Sequence, residues 1–358
     1  MKKIRIGMVG VGGIANGAHL PGYKQVENCE ITAICDIKPE KLKAVGDKYN
    51  IPENRRFTDY RDLIACPDVD AVDIATWNSM HCEIAKAAAL AGKNFSVEKP
   101  VGMSYAEAYD LAETAEKMGV KSMVCLSWRY RPYTRYVKHL VSSGKVGRMF
   151  HIYVRCIKDS GLWKGRKLEW RFQKELGGSG VLGDLGSHMI DIVRFWGQEF
   201  KDVFANYGTF ITERPTEDTG EIAKVTTDDW CNMNCTLESD VSCTIELSRT
   251  ATTISDLISF EVFGDKGRLI YKYEAGKQSI EFTDAETKQT ESLTPPPEFD
   301  AIQSKSFVDL CRGIEDEYTA RIIEGLECQA VIDAAIRSCE QHRVVTIKEI
   351  KDTVARSK

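Results

Sequence analysis

A glycine-rich turn between a strand pattern and a helical pattern constrains the fold of this chain more than any other feature. The turn spans Gly10–Ala15 and follows an apolar, β-branched run at residues 3–9. In such a turn the first glycine permits the tight bend, and the second lets a pyrophosphate approach the backbone. The N-terminus of the helix that follows offers free N–H groups to phosphates. The pattern predicts a dinucleotide site at Gly10, Gly12, Gly13, Ile14 and Ala15.

Strand and helix patterns alternate through the first 124 residues. A capping box at Ser104 and Glu107 opens one helical run, and Gly119 follows its end. Alternation of this kind predicts a doubly wound parallel sheet, so we expect an α/β Rossmann domain over residues 1–124. The predicted strands are 3–9, 30–35, 71–75, 94–97 and 122–126.

Strand patterns dominate after residue 124, at 149–157, 203–211, 229–237, 241–248 and 258–263. A turn at Gly264–Gly267 predicts a hairpin, and strands without intervening helices favour antiparallel pairing. We therefore expect residues 125–358 to form an α+β domain for substrate binding and oligomerisation. Its sheet should be open and mainly antiparallel, with helices on one face.

Charge and hydropathy exclude several classes of protein. The net charge of −5 over 358 residues gives no basic footprint, so nucleic acid is not an expected partner. No apolar run approaches the ~20 residues that cross a bilayer. The N-terminus also lacks the apolar region of a signal peptide. We expect a cytoplasmic protein that does not bind membranes.

Twelve cysteines raise the question of disulfides or a metal site. A reducing cytoplasm argues against disulfides. No cysteine pair has the C-x-x-C spacing of zinc sites, and Cys231, Cys235 and Cys243 lie in strand-like sequence. We interpret the cysteines as small buried hydrophobic residues and expect no metal.

Asp36 closes the second predicted strand, about twenty residues beyond the turn. A carboxylate at this place accepts hydrogen bonds from the ribose hydroxyls of NAD and repels the 2′-phosphate of NADP. The nearby Lys38 softens that repulsion, and a solvated carboxylate at the strand end is the alternative interpretation. We expect NAD, with NADP as the weaker possibility.

Five further motifs follow in order, at residues 76–81, 98–100, 128–132, 170–171 and 184–188. Their order resembles the glucose–fructose oxidoreductase and inositol dehydrogenase family (Gfo/Idh/MocA), over nearly the whole chain. The resemblance implies a Rossmann domain followed by an open-sheet domain, and an NAD(P)-dependent oxidoreductase acting on CH–OH groups. Trp77 and Trp128 depart from the pattern, since many members carry proline and asparagine there.

The resemblance also implies roles for individual residues. Lys99, Asp184 and His188 match the catalytic positions. A larger set matches the cofactor pocket, in addition to the glycine turn and Asp36: Thr76, Trp77, Asn78, His81, Glu98, Lys99, Arg129, Trp170 and Arg171. For Glu98, the alternative interpretation is local support of Lys99. For His81, it is support of the start of a helix.

The ordinary pKa values of the side chains favour His188 as the general base. Oxidation of an alcohol requires a base with a pKa near the working pH. Free histidine lies at ~6.5, whereas free lysine lies at ~10.4. We therefore expect His188 to take the proton and a charged Lys99 to stabilise the alkoxide. Asp184 would orient the ring or bind a neighbouring hydroxyl, and we interpret His19 and His151 as structural.

The substrate is expected to be a sugar, glycoside or inositol, bound by Lys99, Tyr130, Trp163, Asp184 and His188. No arginine-rich cluster near the second-domain motifs marks a phosphate site. The preferred reaction is oxidation of a ring secondary hydroxyl, with C3 of a glycoside as the favoured position. Three alternatives stay open: an NAD-dependent glycoside-cleaving enzyme without net redox, an NAD-sensing regulator without catalysis, and an imine or biliverdin-type reductase.

A homodimer or homotetramer is expected because members of this family commonly assemble through the free face of the second sheet. Alternating apolar residues at Ile258, Phe260, Val262, Tyr271 and Tyr273 fit such an interface. They fit a cover of helices equally well.

Overall fold

The computed structural model describes residues 2–355 and forms two compact units. The first unit contains the chain up to residue 127 together with residues 301–326, and the second contains residues 128–300 and the chain from residue 327 onward. The predicted domain boundary after residue 124 stays a proposal. Residue 1 and residues 356–358, at the ends of the predicted domains, lie outside the described residues.

Six parallel strands form the sheet of the first unit, in the order β3-β2-β1-β4-β5-β6. Apolar, β-branched runs supply the central strands, which are buried on both faces as parallel strands usually are. The order of strands reverses between β1 and β4, where ligands of doubly wound sheets bind. The strands are β1 (Ile4–Val9), β2 (Cys29–Cys35), β3 (Arg56–Phe57), β4 (Ala71–Ile74), β5 (Asn94–Val97) and β6 (Ser122–Val124).

Helices connect these strands and cover the second sheet. Half of the predicted capping box is present, because Ser104 Oγ accepts a hydrogen bond of 3.3 Å from the Glu107 N–H. The Glu107 carboxylate accepts a hydrogen bond of 3.0 Å from the Met103 N–H. The α-helices are α1 (Leu20–Lys24), α2 (Pro39–Tyr49), α3 (Tyr60–Ala65), α4 (Asn78–Leu90), α5 (Tyr105–Met118), α6 (Pro132–Ser142), α7 (Lys174–Gly177), α8 (Ser187–Phe195), α9 (Gln303–Cys311), α10 (Ile322–Gln341) and α11 (Ile347–Ala355). Within residues 2–355, no helix has the length and apolar character needed to cross a bilayer.

Nine strands form the sheet of the second unit, in the order β16-β15-β14-β13-β7-β12-β11-β8-β17. The β7–β12 pair is parallel and the other pairs are antiparallel, so the predicted mainly antiparallel sheet is confirmed. The strands are β7 (Met149–Ile157), β8 (Phe200–Gly208), β11 (Trp230–Leu237), β12 (Ser242–Ser248), β13 (Leu257–Gly264), β14 (Gly267–Glu274), β15 (Lys277–Asp284), β16 (Thr290–Leu293) and β17 (Val345–Thr346), while β9 (Glu213–Pro215) and β10 (Ile222–Lys224) pair separately.

One face of this nine-stranded sheet is covered by helices. The Phe260 ring lies 5.0 Å from the Trp196 ring at the end of α8, and the Tyr271 ring lies 6.4 Å from Tyr133 on α6. Ile258, Phe260, Val262 and Tyr271 are therefore buried within the single chain. These four residues form a core under helices, as the second interpretation of the apolar pattern expected, whereas Tyr273 is half-buried.

Candidate active site

The glycine turn has the geometry of a pyrophosphate-binding loop. Gly10 has a φ of +85°, and a Cβ there would lie 2.3 Å from the Ala75 carbonyl oxygen, so the bend requires glycine. A Cβ at Gly12 or Gly13 would meet no protein atom within 4 Å. Packing within the protein therefore does not demand glycine at these two positions, whereas close approach of a pyrophosphate favours glycine at Gly12. Ala15 is buried against the sheet, and Ile14 is exposed beside it.

Asp36 lies directly beside this turn. Its Oδ2 accepts a hydrogen bond of 3.1 Å from the Val11 N–H, and its Oδ1 accepts one of 3.0 Å from the Lys38 N–H. The carboxylate is thus fixed at the carboxyl end of β2, next to the backbone that would hold the pyrophosphate. This position suits a partner of ribose hydroxyls.

The loop after β4 carries three of the predicted cofactor residues. Thr76 is half-buried, Trp77 is exposed at the N-cap of α4, and Asn78 is buried in its first turn. All three follow the carboxyl end of a strand that neighbours β1, so they lie at the same edge of the sheet as the glycine turn. Their predicted contacts with the cofactor stay predictions.

His81 connects this loop with the segment after β5. Its Nδ1 lies 2.8 Å from the Pro100 carbonyl oxygen, and its Nε2 lies 3.3 Å from the Thr76 carbonyl oxygen. Burial lowers the pKa of His81, which favours the neutral ring. Both nitrogens face backbone oxygens, and this geometry favours support of the loops over direct contact with a ligand.

Glu98 holds the backbone of the lysine that follows it. Its Oε2 accepts a hydrogen bond of 3.1 Å from the Lys99 N–H, and its Oε1 lies 3.0 Å from His19 Nε2. Lys99 itself is half-buried at the carboxyl end of β5. The carboxylate therefore has the geometry of a local support for Lys99.

His19 takes part in a buried network that the sequence interpretation missed. Its Nδ1 lies 2.8 Å from Asp73 Oδ2, which also accepts a hydrogen bond of 2.6 Å from the Tyr23 hydroxyl. A signal was available in the sequence: Asp73 is a carboxylate within an apolar strand, and a buried charge requires a partner. His19, Asp73 and Cys125 also bring potential metal ligands within 4.8 Å of one another. Because His19 and Asp73 bond directly, we interpret this group as a hydrogen-bonded network.

Asp184 and His188 lie on one continuous helical segment in the second unit. A π-helical turn at Leu182–Gly186 leads into α8, which contains His188. Residues four apart on a helix share a face, so the structure brings the two side chains to the same side. The segment begins close to Asp228, whose carboxylate accepts hydrogen bonds of 2.6 Å and 2.9 Å from the Gly180 and Leu182 N–H groups.

A cavity of about 280 Å³ in the second unit brings three predicted residues together: Trp163, Arg171 and Asp184. The Arg171 guanidinium lies 4.2 Å from the centre of the Trp170 ring, and Trp163 is largely exposed. Polar side chains and one aromatic ring therefore surround Asp184. Such a lining suits a hydroxyl-rich ligand.

The expectation that no arginine-rich cluster lies near these motifs is corrected by the same cavity. Its lining includes four cationic side chains: Lys158, Arg166, Arg171 and Arg249. Three of them face carboxylates: Lys158 lies 3.3 Å from Asp256, Arg166 lies 2.9 Å from Glu169, and Arg249 lies 2.8 Å from Asp229. Lys158, Arg166 and Arg171 lie close together in the sequence, and the fold adds the distant Arg249 to them.

Arg129 is engaged in a buried ion pair. Its Nε lies 2.8 Å and 2.9 Å from the two carboxylate oxygens of Asp191, and its Nη2 lies 2.6 Å from Oδ1. The side chains of Arg129 and Asp191 are 4% and 0% exposed. This bidentate pair favours a supporting role for Arg129, and its contact with the cofactor stays a prediction. The neighbouring Tyr130 is buried as well.

Removal of one partner of this ion pair should destabilise the protein strongly. We expect Asp191→Asn to lower the free energy of unfolding by about 3–5 kcal/mol, because it leaves a buried guanidinium without its counter-charge. Chemical denaturation measures the change. The control is Asp352→Asn, which removes an exposed partner of Lys348 and should cost less than about 1 kcal/mol. Equal effects of the two substitutions would contradict the expectation.

Both halves of the chain match one family. Residues 4–126 match an oxidoreductase family with an NAD-binding Rossmann fold, and residues 134–270 match the GFO/IDH/MocA C-terminal domain. The chain belongs to the GFO/IDH/MocA oxidoreductase family. Membership confirms the resemblance of the sequence motifs, the fold class and the class of enzyme, an NAD(P)-dependent oxidoreductase.

Several dehydrogenases are similar to this family member. A levoglucosan dehydrogenase of Pseudarthrobacter phenanthrenivorans is 29% identical over 294 residues, 76% of this chain and 75% of the relative. A glucose-6-phosphate 3-dehydrogenase of Bacillus subtilis is 28% identical over 307 residues, 84% of each protein. The solved structure of a levoglucosan dehydrogenase in complex with NADH and L-sorbose has a TM-score of 0.86 at 26% identity, covering 97% of this chain and 99% of that one.

Proposed function

We propose that this protein is an NAD-dependent dehydrogenase that oxidises a ring secondary hydroxyl of a sugar, glycoside or inositol. The observation that carries the proposal is the cavity around Asp184, with its polar lining and the Trp163 ring. The volume of this cavity lies just below the usual range of ligand-binding sites, which favours a substrate with a single sugar or inositol ring. The names of the two relatives support a sugar substrate, and one of them supports oxidation at C3.

Each of the three proposed catalytic side chains has its own role in the oxidation. The bound nicotinamide supplies the acceptor for the hydride. His188 takes the proton from the hydroxyl group as general base. The Lys99 ammonium stabilises the developing alkoxide. Asp184 orients the His188 ring or binds a neighbouring hydroxyl.

The cofactor would be held by the glycine turn, and Asp36 would select NAD over NADP. We expect Asp36→Asn to raise the Kd for NAD by roughly 10- to 100-fold and to reduce the preference for NAD. The reason is that a hydrogen bond to a charged group contributes roughly 1.5–3 kcal/mol. Titration of the protein with NAD and NADP measures both constants. Glu40→Gln, an exposed change in the first turn of α2, serves as the control, and equal losses in both variants would contradict the role of Asp36.

A substrate panel tests the proposed function. Sugars, methyl glycosides, inositols and a sugar phosphate are incubated with the enzyme and NAD, and NADH absorbance is followed with and without a keto-sugar acceptor. The acceptor matters because a tightly held cofactor could remain bound between turnovers. We expect oxidation of at least one cyclic substrate. Consumption of a glycoside without NADH or a keto product would indicate transient oxidation, and no reaction in any arm would overturn the proposal.

A homodimer or homotetramer also stays part of the proposal, with the cytoplasm as its location. The face of the nine-stranded sheet opposite α6 and α8 presents Tyr153, Arg155, Glu246 and Phe263, which are exposed or half-buried. A mixed polar and aromatic face of this kind suits contact with a second copy. Light scattering of the purified protein measures the oligomeric state.

A further inference from the structure

A buried imidazole lies between two carboxylates at the carboxyl end of the first sheet. His19 is 4% exposed, so water competes little for its hydrogen bonds. Its Nδ1 is 2.8 Å from Asp73 Oδ2, and its Nε2 is 3.0 Å from Glu98 Oε1. Both ring nitrogens therefore face negatively charged acceptors.

With both carboxylates ionised, this geometry requires a charged ring. An ionised carboxylate only accepts hydrogen bonds, and a neutral imidazole has a single N–H. Only the imidazolium donates to both neighbours at once. It also supplies the positive charge that the buried Asp73 carboxylate and the half-buried Glu98 carboxylate need.

The two carboxylates around His19 favour the imidazolium. Asp73 faces it from β4 and Glu98 from the end of β5, while the Tyr23 hydroxyl of α1 donates to Asp73. The Cys125 thiol lies nearby after β6, and burial raises its pKa, so it stays neutral. Burial by itself lowers the pKa of His19, but the two carboxylates outweigh this effect and raise it to about 10.

The network extends to the backbone of Lys99. While Oε1 of Glu98 faces His19, its Oε2 accepts the hydrogen bond from the Lys99 N–H. A carboxylate held at both oxygens has one orientation, and that orientation fixes where the lysine backbone begins. On the next peptide unit, His81 contacts the Pro100 carbonyl oxygen.

We propose that His19 is a positioning residue for Lys99. Its ring stays protonated and holds Glu98 in the orientation that supports the lysine backbone. His19 is buried and acts through Glu98, so it is not a reacting group. It also lies on the helical turn Ala15–His19 directly after the glycine turn, and thereby connects the nucleotide loop with the lysine. The inference rests on the proposed role of Lys99 in the oxidation.

Nitrogen-15 NMR of histidine-labelled protein tests the charge in the wild-type enzyme. We expect both ring nitrogens of His19 to stay protonated from pH 6 to pH 9. Loss of the His19 signals in His19→Gln assigns them. If that variant does not fold, Glu98→Gln assigns them by shifting the same signals. A His19 ring that becomes neutral within this range overturns the proposal.

Kinetics tests the positioning role. We expect His19→Gln to lower kcat by roughly 10- to 100-fold with an unchanged Kd for NAD, because a misplaced catalytic group loses about that much. An additional acidic limb should appear in the pH profile of kcat, because Asp73 and Glu98 then face each other without a cation and one of them takes a proton. His151→Gln serves as the matched control and should behave like wild type.

The double variant His19→Gln/Glu98→Gln identifies the group responsible. We expect the additional limb to disappear, because the like-charged pair is gone. A loss of kcat that is even across pH in His19→Gln, or a limb that persists in the double variant, overturns the positioning role. If the wild-type enzyme oxidises no substrate, the proposed function fails separately. In that case the NMR signal of the Lys99 backbone amide tests the inference. It should shift in both His19→Gln and Glu98→Gln, and an unmoved signal overturns the inference.

Discussion

Lys99→Met should abolish turnover and leave NAD binding intact. Methionine has nearly the length of lysine without the charge, so the substitution removes the group that stabilises the alkoxide and preserves most of the packing. Loss of one preorganised electrostatic donor costs about 10²–10³ in rate, and a charged donor should lie at the upper end of that range. Steady-state rates and a fluorescence titration with NADH measure the two effects.

The control for this substitution is Lys117→Met. Lys117 lies in the last turn of α5 with an exposed side chain that pairs with Glu113. The same chemical change there should leave both rate and NAD affinity unchanged. If Lys99→Met retains wild-type turnover, Lys99 is not the stabilising cation. If it loses NAD binding along with turnover, the lysine acts on the cofactor and not on the substrate oxygen.

His188→Asn should remove the acidic limb of the pH–rate profile. In the wild-type enzyme kcat/KM should fall on the acidic side of the profile, because a protonated imidazole cannot accept the hydroxyl proton. Asparagine does not titrate, so the variant should lose roughly 10²- to 10⁴-fold in kcat/KM and show no dependence on that group. Rates over the pH range 5–9 give both results.

The comparison with His151→Asn makes this result specific. His151 is exposed on β7, and its substitution should leave the profile unchanged. An acidic limb that persists in His188→Asn would assign the base to another group. The buried His19 would not explain it, because its pKa is about 10 and it stays charged through this range.

Local sequence patterns were sufficient to predict the central strands of the first unit. Its central strands are continuous apolar runs, so β1, β4 and β5 lie within one or two residues of the predicted strands. The short edge strand β3 was missed, since two half-buried residues leave no periodic pattern. In the second unit β15 and β16 were missed for a related reason: β16 is the edge strand, β15 lies next to it, and both are largely polar.

Contacts between segments that are distant in the sequence could not be predicted from local patterns. The parallel β7–β12 pair joins strands that lie about 90 residues apart, and the sequence of either strand does not encode its neighbour. The same limit applies to the site. Asp36 lies where the spacing predicted, whereas the contact of His19 with Glu98 spans 79 residues and depends on the order of the strands.

Isotope transfer tests the central claim most directly. A cyclic substrate found by the panel is prepared with deuterium on its ring carbons, and the cofactor and the sugar are analysed by mass spectrometry after reaction. The account predicts NADH with one deuterium at C4 of the nicotinamide, in amounts equal to the keto sugar. Conversion of the sugar without deuterium in the cofactor, and without any keto product, would contradict it.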